Sequence, residues 1–114
     1  MKNIDSRSHV RGESIYVNDI PVREDTLFGV VLGSPVAHGK LKKIDFSAAL
    51  GMEGVEAVIS AKDITGENQI GSIIQDEELF ADKEVHFVGM PIALVCARTE
   101  AIARKAVGKI EVDI

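Results

Sequence analysis

Aromatic residues and cysteine are scarce in this chain, which has no tryptophan, one cysteine and only 4% aromatic side chains among its 114 residues. A single cysteine can form neither an intrachain disulfide nor a zinc site built from several thiolates, so a reducing cytoplasm is the expected compartment. So few aromatic rings leave little surface for stacking nucleic-acid bases. The apolar runs at 27–32 and 91–97 are too short to cross a membrane.

Positive charge is limited as well. The chain has 13 Lys and Arg against 18 Asp and Glu, for a net charge of -5. Because affinity for nucleic acid comes mostly from cations that neutralise phosphates, general binding to DNA or RNA is not expected. A local cluster is formed by Lys40, Lys42 and Lys43. We interpret it as the solvent-facing side of an exposed strand, and contact with a partner is the less favoured alternative.

The organisation of the chain predicts one domain. Its 46% hydrophobic content and lack of repeats or linkers favour a single packed unit over 13–114. The preceding residues 1–12 are polar or charged apart from Ile4 and Val10 and are expected to be loosely ordered. Residues 110–114 alternate apolar and acidic side chains with no closing turn, so we interpret the chain as a fragment cut from a longer polypeptide.

Short apolar segments predict a set of short strands. Residues 27–32 are apolar on both faces of an extended chain, which favours a strand buried on both sides. The segment 39–46 changes parity, so a β-bulge near Lys42 and Lys43 is needed to keep its apolar side chains inside. Further strands are predicted at 55–59, 85–88 and 92–97.

The remaining segments predict turns, one long loop and one helix. Ser60 and Asp63 have capping-box spacing and predict a single helical turn. Residues 67–83 are acidic and irregular and predict a long loop pinned by scattered apolar anchors. These anchors are Ile70, Ile73, Ile74, Leu79 and Phe80. A helix is predicted over about 99–109, capped by Thr99, with an apolar stripe that must lie on a sheet, so the fold class is α+β.

Catalytic and metal-binding patterns are missing from the sequence. There is no glycine-rich phosphate loop. His9, His38 and His86 are far apart and lack a further ligand at the short spacing typical of a metal site. Cys96 lies in an apolar strand and is interpreted as an inert core residue. The carboxylates between 76 and 84 could form a cation site or an acid and base pair, but a solvated acidic loop explains them more simply.

His38 is the most ambiguous side chain. It follows Ser34 and Pro35 at the point where a loop becomes a strand, and such corners often carry binding groups. A plain surface histidine and a contact to a docked partner therefore both remain open. His86 is interpreted as lying on the exposed or edge face of its strand.

Five segments, in order along the chain, carry a resemblance to a known family. They are GESIYVNDIP at 12–21, SPVAHG at 34–39, GVEAV at 54–58, KDITGEN at 62–68 and VGMPIALV at 88–95. Together they resemble the N-terminal domain of the molybdenum-binding subunit of the xanthine dehydrogenase and aldehyde oxidase family. Each segment is weak alone, but five in the right order over nearly the whole chain make a specific signal.

The resemblance implies the α/β hammerhead fold, in which short, curved, mostly antiparallel strands pack against one main helix. It also implies a parent oxidoreductase, a molybdenum hydroxylase that inserts a water-derived oxygen into an aldehyde or an N-heterocycle. Such an enzyme carries a molybdenum-pterin cofactor, iron-sulfur clusters and commonly FAD. The implied partners are the remainder of the molybdenum subunit and the iron-sulfur and FAD subunits or domains. The family's catalytic glutamate and pterin-binding loops follow this domain, so no catalytic, cofactor-binding or metal residue is carried over.

Two residues depart from the family pattern. Gly39 stands where Ala usually follows the histidine, which slightly loosens the start of a strand. Met90 stands where the family usually has Gln, and because Met offers only a weak sulfur acceptor, any polar contact made there is in doubt. Ser34, His38 and Met90, where strand ends meet loops, form the candidate docking surface.

The leading hypothesis is therefore a structural and interface domain of a molybdenum hydroxylase, inactive as an isolated fragment and prone to weak self-association. A rival hypothesis is a free-standing binding or carrier-like hammerhead module without catalysis. A carrier needs an exposed lysine at a hairpin tip, typically beside Met or Asp, and only Met1 and Lys2 at the terminus place a Met next to a lysine. A third hypothesis, an acid–base hydrolase using the carboxylates between Asp76 and Glu84, lacks a pocket-forming glycine loop and a positioned histidine.

Overall fold

A computed structural model describes residues 4–114, in which short strands alternate with short helices. The helices are α1 Ser6–Arg11, α2 Ser47–Leu50 and α3 Glu100–Val107, and single 3-10 turns cover Val17–Asp19 and Ala61–Asp63. The strands are β1 Phe28–Gly33, β2 Gly39–Lys40, β3 Lys43–Asp45, β4 Val55–Ser60, β5 Glu84–Val85, β6 Pro91–Ala97 and β7 Glu111–Asp113. Every pair of these strands is antiparallel, and the predicted α+β class is confirmed.

The largest sheet has three strands in the order β1, β6, β4. β6 is central because both neighbours pair along it, with Val30 and Val58 each opposite Val95. Each of the two ladders slips once, which bends the strands locally. Successive side chains of β6 point to opposite faces of this sheet, so the sheet has two distinct surfaces.

Helix α3 covers one of these surfaces. As predicted, Thr99 caps the helix, and its Oγ1 accepts a hydrogen bond from the Ile102 N–H at 3.2 Å. Ala103 and Ala106 are fully buried in a cluster with Val95. Their small side chains let the helix backbone lie close to the sheet. None of the helices within residues 4–114 is long and apolar enough to cross a membrane.

The predicted strand at 39–46 is wrong as a single element, because it forms two strands with different partners. β2 pairs with β5, whereas β3 pairs with β7. Between them, the Leu41 N–H donates to the Lys83 carbonyl and the Lys42 N–H donates to the Asp113 carbonyl, both at 2.8 Å. The chain therefore keeps its apolar side chains inside by changing its partner strand between β2 and β3, not by forming a bulge. Apolar side chains on both sides of this change pack against the second cluster.

A second apolar cluster joins the short strands to the central sheet. Ala81, Val85, Met90 and Ile92 form its centre and are at most 2% exposed. Ile92 points from β6 to the face opposite helix α3. The core therefore has two parts, one on each side of β6.

The predicted strand at 85–88 is cut short by a tight turn, and β5 has only two residues. The Met90 N–H donates to the Phe87 carbonyl at 3.2 Å, which closes the turn. Gly89, with φ +87°, takes the left-handed backbone that glycine adopts without strain. The Gly89 N–H donates to the Ser34 carbonyl at 2.8 Å and the Ser34 N–H donates to the Met90 carbonyl at 2.9 Å, so the turn is fastened to the end of β1.

Residues 4–26 extend from the body and are termed the N-terminal arm. The hydrogen bonds described for this segment join its own residues, such as His9 with Ser14 and Tyr16 with Asp19. The radius of gyration is 18.6 Å, against about 13 Å for a compact chain of this length. The arm therefore gains little of its order from the body.

The predicted division into a loose segment 1–12 and a domain 13–114 stays a prediction. Residues 1–3 lie outside the described part of the chain. Ser6–Arg11 form α1, which has no buried residue and ends at Gly12 with a left-handed φ of +67°. The sequence does not predict this helix because it has no apolar stripe to dock.

Candidate docking surfaces

The three residues of the predicted docking surface lie together around the turn that follows β5. Ser34 and Met90 are joined through their backbones, and Nδ1 of His38 lies 3.1 Å from the Val85 carbonyl oxygen. Ser34 is only 3% exposed and Met90 only 2%, so neither offers its side chain to a partner. Of the three, only His38 is exposed. A docking role for this region stays a prediction. In that role the buried Ser34 and Met90 would shape the surface rather than contact the partner.

Ser34 and Met90 both have local roles that explain their burial. The Ser34 hydroxyl donates to the Val36 carbonyl at 2.8 Å and accepts from the Val36 N–H at 3.2 Å, which shapes the chain before β2. The Met90 sulfur accepts from the His86 N–H at 3.3 Å, and the side chain packs in the second cluster. Where the resembling family usually has Gln, this chain uses the position for packing.

One face of the central sheet is apolar and only partly covered. Helix α3 lies on the opposite face, and the second cluster covers only the end of this face near Ile92. A Cβ atom at Gly29 would lie 3.1 Å from Cδ1 of Leu94, so the Leu94 side chain folds over this face. Val31 is 51% exposed there. The set is termed the open face and consists of Val31, Ala57, Ile59, Leu94 and Cys96.

The open face corrects two sequence predictions. β1 is not buried on both sides, because Val30 packs in the cluster under α3 whereas Val31 faces outward. Cys96 is not a core residue but a partly buried free thiol that belongs to neither apolar cluster. Both predictions are wrong for the same reason. Apolar side chains on both faces of a strand predict that both faces are buried, but the residues that bury them can belong to another polypeptide.

A second apolar surface lies at the tip of the loop 67–83. Asn68 closes the base of the loop, since its Nδ2 donates to the Phe80 carbonyl at 2.6 Å and its Oδ1 accepts from the Phe80 N–H at 3.0 Å. At the tip, Ile73 is 93% and Ile74 is 69% exposed. Phe80 is buried and its predicted anchoring role is confirmed, whereas the same role for Ile73 and Ile74 is wrong. Besides Phe80, the loop is held by the Asn68 side chain and by a backbone bond from the Ile70 N–H to the Glu77 carbonyl at 2.7 Å, which leave no apolar pattern.

The N-terminal arm presents a third apolar surface. Ile15, Val17 and Val22 are 77%, 83% and 65% exposed. The ring contact between His9 and Tyr16, at a centroid distance of 6.2 Å, does not cover them. Because burial of apolar side chains is favourable, three exposed apolar surfaces on one domain indicate contact with other protein.

Among the described residues, the charged groups include one carboxylate with a strongly lowered pKa and no cluster of metal ligands. Within residues 4–114, no three His, Cys, Asp or Glu side chains are placed to hold a metal ion. The hydroxyl and N–H of Ser47 donate to the Asp45 carboxylate at 2.5 and 3.0 Å and, helped by Lys43, lower the pKa of Asp45 to about 2. This carboxylate therefore stays ionised at the start of α2 and has no tendency to act as an acid.

The lysine cluster lies at the surface, as the sequence predicts. Lys42 pairs with Asp113 at 3.5 Å and Lys43 pairs with Asp45 at 3.4 Å. Both pairs are exposed to solvent and contribute little to stability. Together with Lys62, these lysines line a cleft of about 240 Å³. Because two of the three are already paired with carboxylates, the cleft is weakly suited to an anion.

The fold defines the class of protein as a small hammerhead-type α+β domain, with one helix on an antiparallel sheet and apolar surfaces left for neighbours. Solved structures of larger enzymes contain the same fold. The aldehyde oxidoreductase from Desulfovibrio gigas matches 96% of this chain and 13% of its own, with a TM-score of 0.85 and 35% identity. The CO dehydrogenase from Oligotropha carboxidovorans matches 99% of this chain and 14% of its own, with a TM-score of 0.85 and 30% identity.

Sequence comparison identifies the family. The model of the a/b hammerhead domain of aldehyde oxidase and xanthine dehydrogenase matches residues 11–114. Xanthine dehydrogenase 1 of Arabidopsis thaliana is 42% identical over 96% of this chain, and aldehyde oxidase 4 of Cavia porcellus is 41% identical over 92%. The chain therefore belongs to the aldehyde oxidase and xanthine dehydrogenase family, as its hammerhead domain, and it spans 8% of the length of either relative. This membership confirms the resemblance and favours the hammerhead domain of a larger protein of this family over a carrier-like module.

Proposed function

We propose that this chain is the interface domain of a molybdenum hydroxylase that oxidises an aldehyde or an N-heterocycle with oxygen taken from water. Its membership of the aldehyde oxidase and xanthine dehydrogenase family supports this reaction class. The molybdenum-pterin cofactor, the iron-sulfur clusters and FAD would be bound by other parts of that enzyme. The single cysteine of this chain favours a reducing, cytoplasmic location for this domain.

The open face is the observation that carries the proposal. Each square ångström of apolar surface removed from water contributes about 25 cal/mol, so covering this face is favourable for whatever docks on it. We assign the covering layer to the remainder of the molybdenum-binding polypeptide. The relatives supply the argument, because the chain makes up only 8% of their length and leaves ample polypeptide to provide such a layer.

The composition of the open face sets the chemistry of the covering layer. None of its five residues carries a charge, and the Cys96 thiol is its only polar group. A charged surface placed on it would lose hydration without gaining a partner. The covering layer is therefore expected to be an apolar face of a helix or a sheet.

A chimeric enzyme tests the docking role. In it, this chain replaces the matching hammerhead domain of the Desulfovibrio gigas aldehyde oxidoreductase, whose fold it shares at a TM-score of 0.85. The chimera is expected to assemble and retain molybdenum. Leu94→Lys on the open face is expected to abolish that retention, because a lysine there cannot be buried without a partner.

Lys105→Glu provides the matched control, since Lys105 is an exposed residue of α3, away from the open face. The control chimera is expected to retain molybdenum. Circular dichroism of the isolated Leu94→Lys chain checks that the substitution leaves the domain folded. Equal molybdenum retention by the Leu94→Lys and Lys105→Glu chimeras would contradict the proposal.

The isolated chain is expected to be inactive. Purified alone, the 114-residue chain should contain no molybdenum, iron or flavin and should oxidise neither hypoxanthine nor simple aldehydes. Elemental analysis and a dye-reduction assay measure both properties. Stoichiometric molybdenum in the purified chain would contradict a purely interfacial role.

A further inference from the structure

His38 and His86 lie opposite each other just beyond the end of the ribbon formed by β2 and β5. Gly39 pairs with Val85, so the residue next to each of them outside the ribbon brings His38 to face His86. The Val85 side chain is fully buried. Because side chains alternate along a strand, His86 points to the opposite, outer face, and both histidines are exposed.

The two imidazole rings are already close and roughly parallel. Their centroids are 5.8 Å apart and their planes differ by 29°. Nδ1 of His38 lies 3.1 Å from the Val85 carbonyl oxygen. A carbonyl can only accept a hydrogen bond, so Nδ1 carries the proton and the lone pair of His38 is on Nε2. Metal-binding histidines are commonly held in this way, with one nitrogen donating to a carbonyl and the other left for the metal.

We propose that His38 and His86 form a two-histidine site for a late first-row divalent metal ion, with water at the remaining positions. Imidazole suits Zn²⁺, Cu²⁺ and Ni²⁺, and a metal–nitrogen distance of about 2.0–2.1 Å places the two ligand atoms about 3 Å apart. Facing residues of an antiparallel pair have Cβ atoms about 4.5–5.5 Å apart, within reach of that geometry. The exposed ring of His86 needs only to turn on its own side-chain bonds to bring a nitrogen towards Nε2 of His38.

The neighbouring charges on this face nearly balance. Lys40 and Glu84 form the next facing pair along the ribbon, one cation and one carboxylate. The site therefore depends on the two imidazoles rather than on a negative field.

Metal titration of the 114-residue chain tests the site. Cu²⁺, Ni²⁺ and Zn²⁺ are titrated separately in competition with a chromophoric chelator, and one ion per chain is expected, with Cu²⁺ the tightest. His38→Gln and His86→Gln are each expected to weaken binding at least about tenfold, since even loss of an outer hydrogen bond to a ligand typically costs that much.

His9→Gln is the matched control. His9 also lies beside an aromatic ring and has one nitrogen in a hydrogen bond, to Ser14 at 2.6 Å, but it faces no second histidine. Binding is expected to be unchanged in this variant. No binding by the parent chain, or equal affinity in all three variants, would overturn the proposal and leave the pair as a ring contact only.

A second measurement does not depend on the variants folding. In the unaltered chain, substoichiometric Cu²⁺ should broaden the NMR ring signals of His38 and His86 together, before those of His9. Broadening of all three histidines in parallel, or of His9 first, would overturn the two-histidine site.

Discussion

The two faces of strand β6 carry similar side chains in different surroundings. On one face, Val95 and Ala97 are fully buried beneath α3. On the other face, Leu94 and Cys96 are only partly buried and lie on the open face. The hydrophobicity of the side chains does not distinguish the two faces of β6, because all four side chains are apolar or nearly so. The difference comes from what this chain supplies as cover: helix α3 lies over the first face, whereas the second cluster covers only the end of the other face near Ile92.

This difference distinguishes the sheet face that the chain buries with its own residues from the face that it leaves for another protein surface to bury. A strand that faces water on one side normally alternates apolar and polar residues. β6 does not alternate over Pro91–Ala97, and neither does β1 over Phe28–Gly33. Such strands predict two covering layers, and within residues 4–114 the second layer is complete only near Ile92.

The largest expected effect is a difference in the free energy of unfolding between alanine variants of Ile92 and Leu94. The two side chains point to the same side of β6. Ile92→Ala is expected to lower the free energy of unfolding by about 2–5 kcal/mol, because Ile92 is fully buried in the second cluster. Leu94→Ala should cost clearly less, because its side chain is already partly in water. Urea denaturation of both variants measures the two costs. Equal losses would show that the open face is as well packed as the core.

A smaller effect on the free energy of unfolding is expected from enlarging one side chain on each face of the central sheet. Ala106→Leu is expected to cost about 1–3 kcal/mol of unfolding free energy, because Ala106 is fully buried between helix and sheet and has no room for a larger side chain. Val31→Leu, with the added volume on the open face, should be close to neutral. Thermal unfolding of the two variants compares them. A neutral Ala106→Leu would mean that α3 is not tightly packed on the sheet.

Locally determined features were predictable from the sequence. The capping box at Ser60 is present, since the Asp63 carboxylate accepts from the Ser60 N–H at 2.8 Å, and a 3-10 turn follows over Ala61–Asp63. The Thr99 cap and the buried stripe of α3 were predictable for the same reason. In each case the residues that interact are three or four positions apart, so spacing alone identifies them.

Features that depend on distant residues were not predictable. Asn68 binds the backbone of Phe80, and His38 faces His86, only because the fold brings those segments together. The burial of Met90 likewise follows from the turn fastened to Ser34. The sequence placed all three docking candidates at strand ends, but which of them reaches solvent depends on neighbouring strands. The apolar pattern of the open face is the same as that of a fully covered sheet, so the pattern alone does not show that part of this face lacks cover from the chain.

The reactivity of the Cys96 thiol reports whether the open face is covered. As a partly buried thiol on the open face, it is expected to react with a thiol reagent more slowly in the native chain than in denaturant, but measurably. In the chimeric enzyme the same thiol should become strongly protected, because the docked layer covers it. Reaction rates followed by absorbance measure both states. Equal rates in the isolated chain and the chimera would indicate that nothing docks over Cys96.

The smallest expected effect is weak self-association of the isolated chain through its uncovered surfaces. Val31 lies on the open face and in an edge strand of the sheet, so a second copy can cover it or pair with it. Sedimentation velocity across a dilution series should show a coefficient that rises with concentration. Val31→Lys should reduce the rise, because a charged edge strand resists pairing, whereas Met90→Gln should not, because Met90 is only 2% exposed. A strict monomer at high concentration would mean that the open face does not behave as an uncovered interface, and it would favour a domain that is stable on its own.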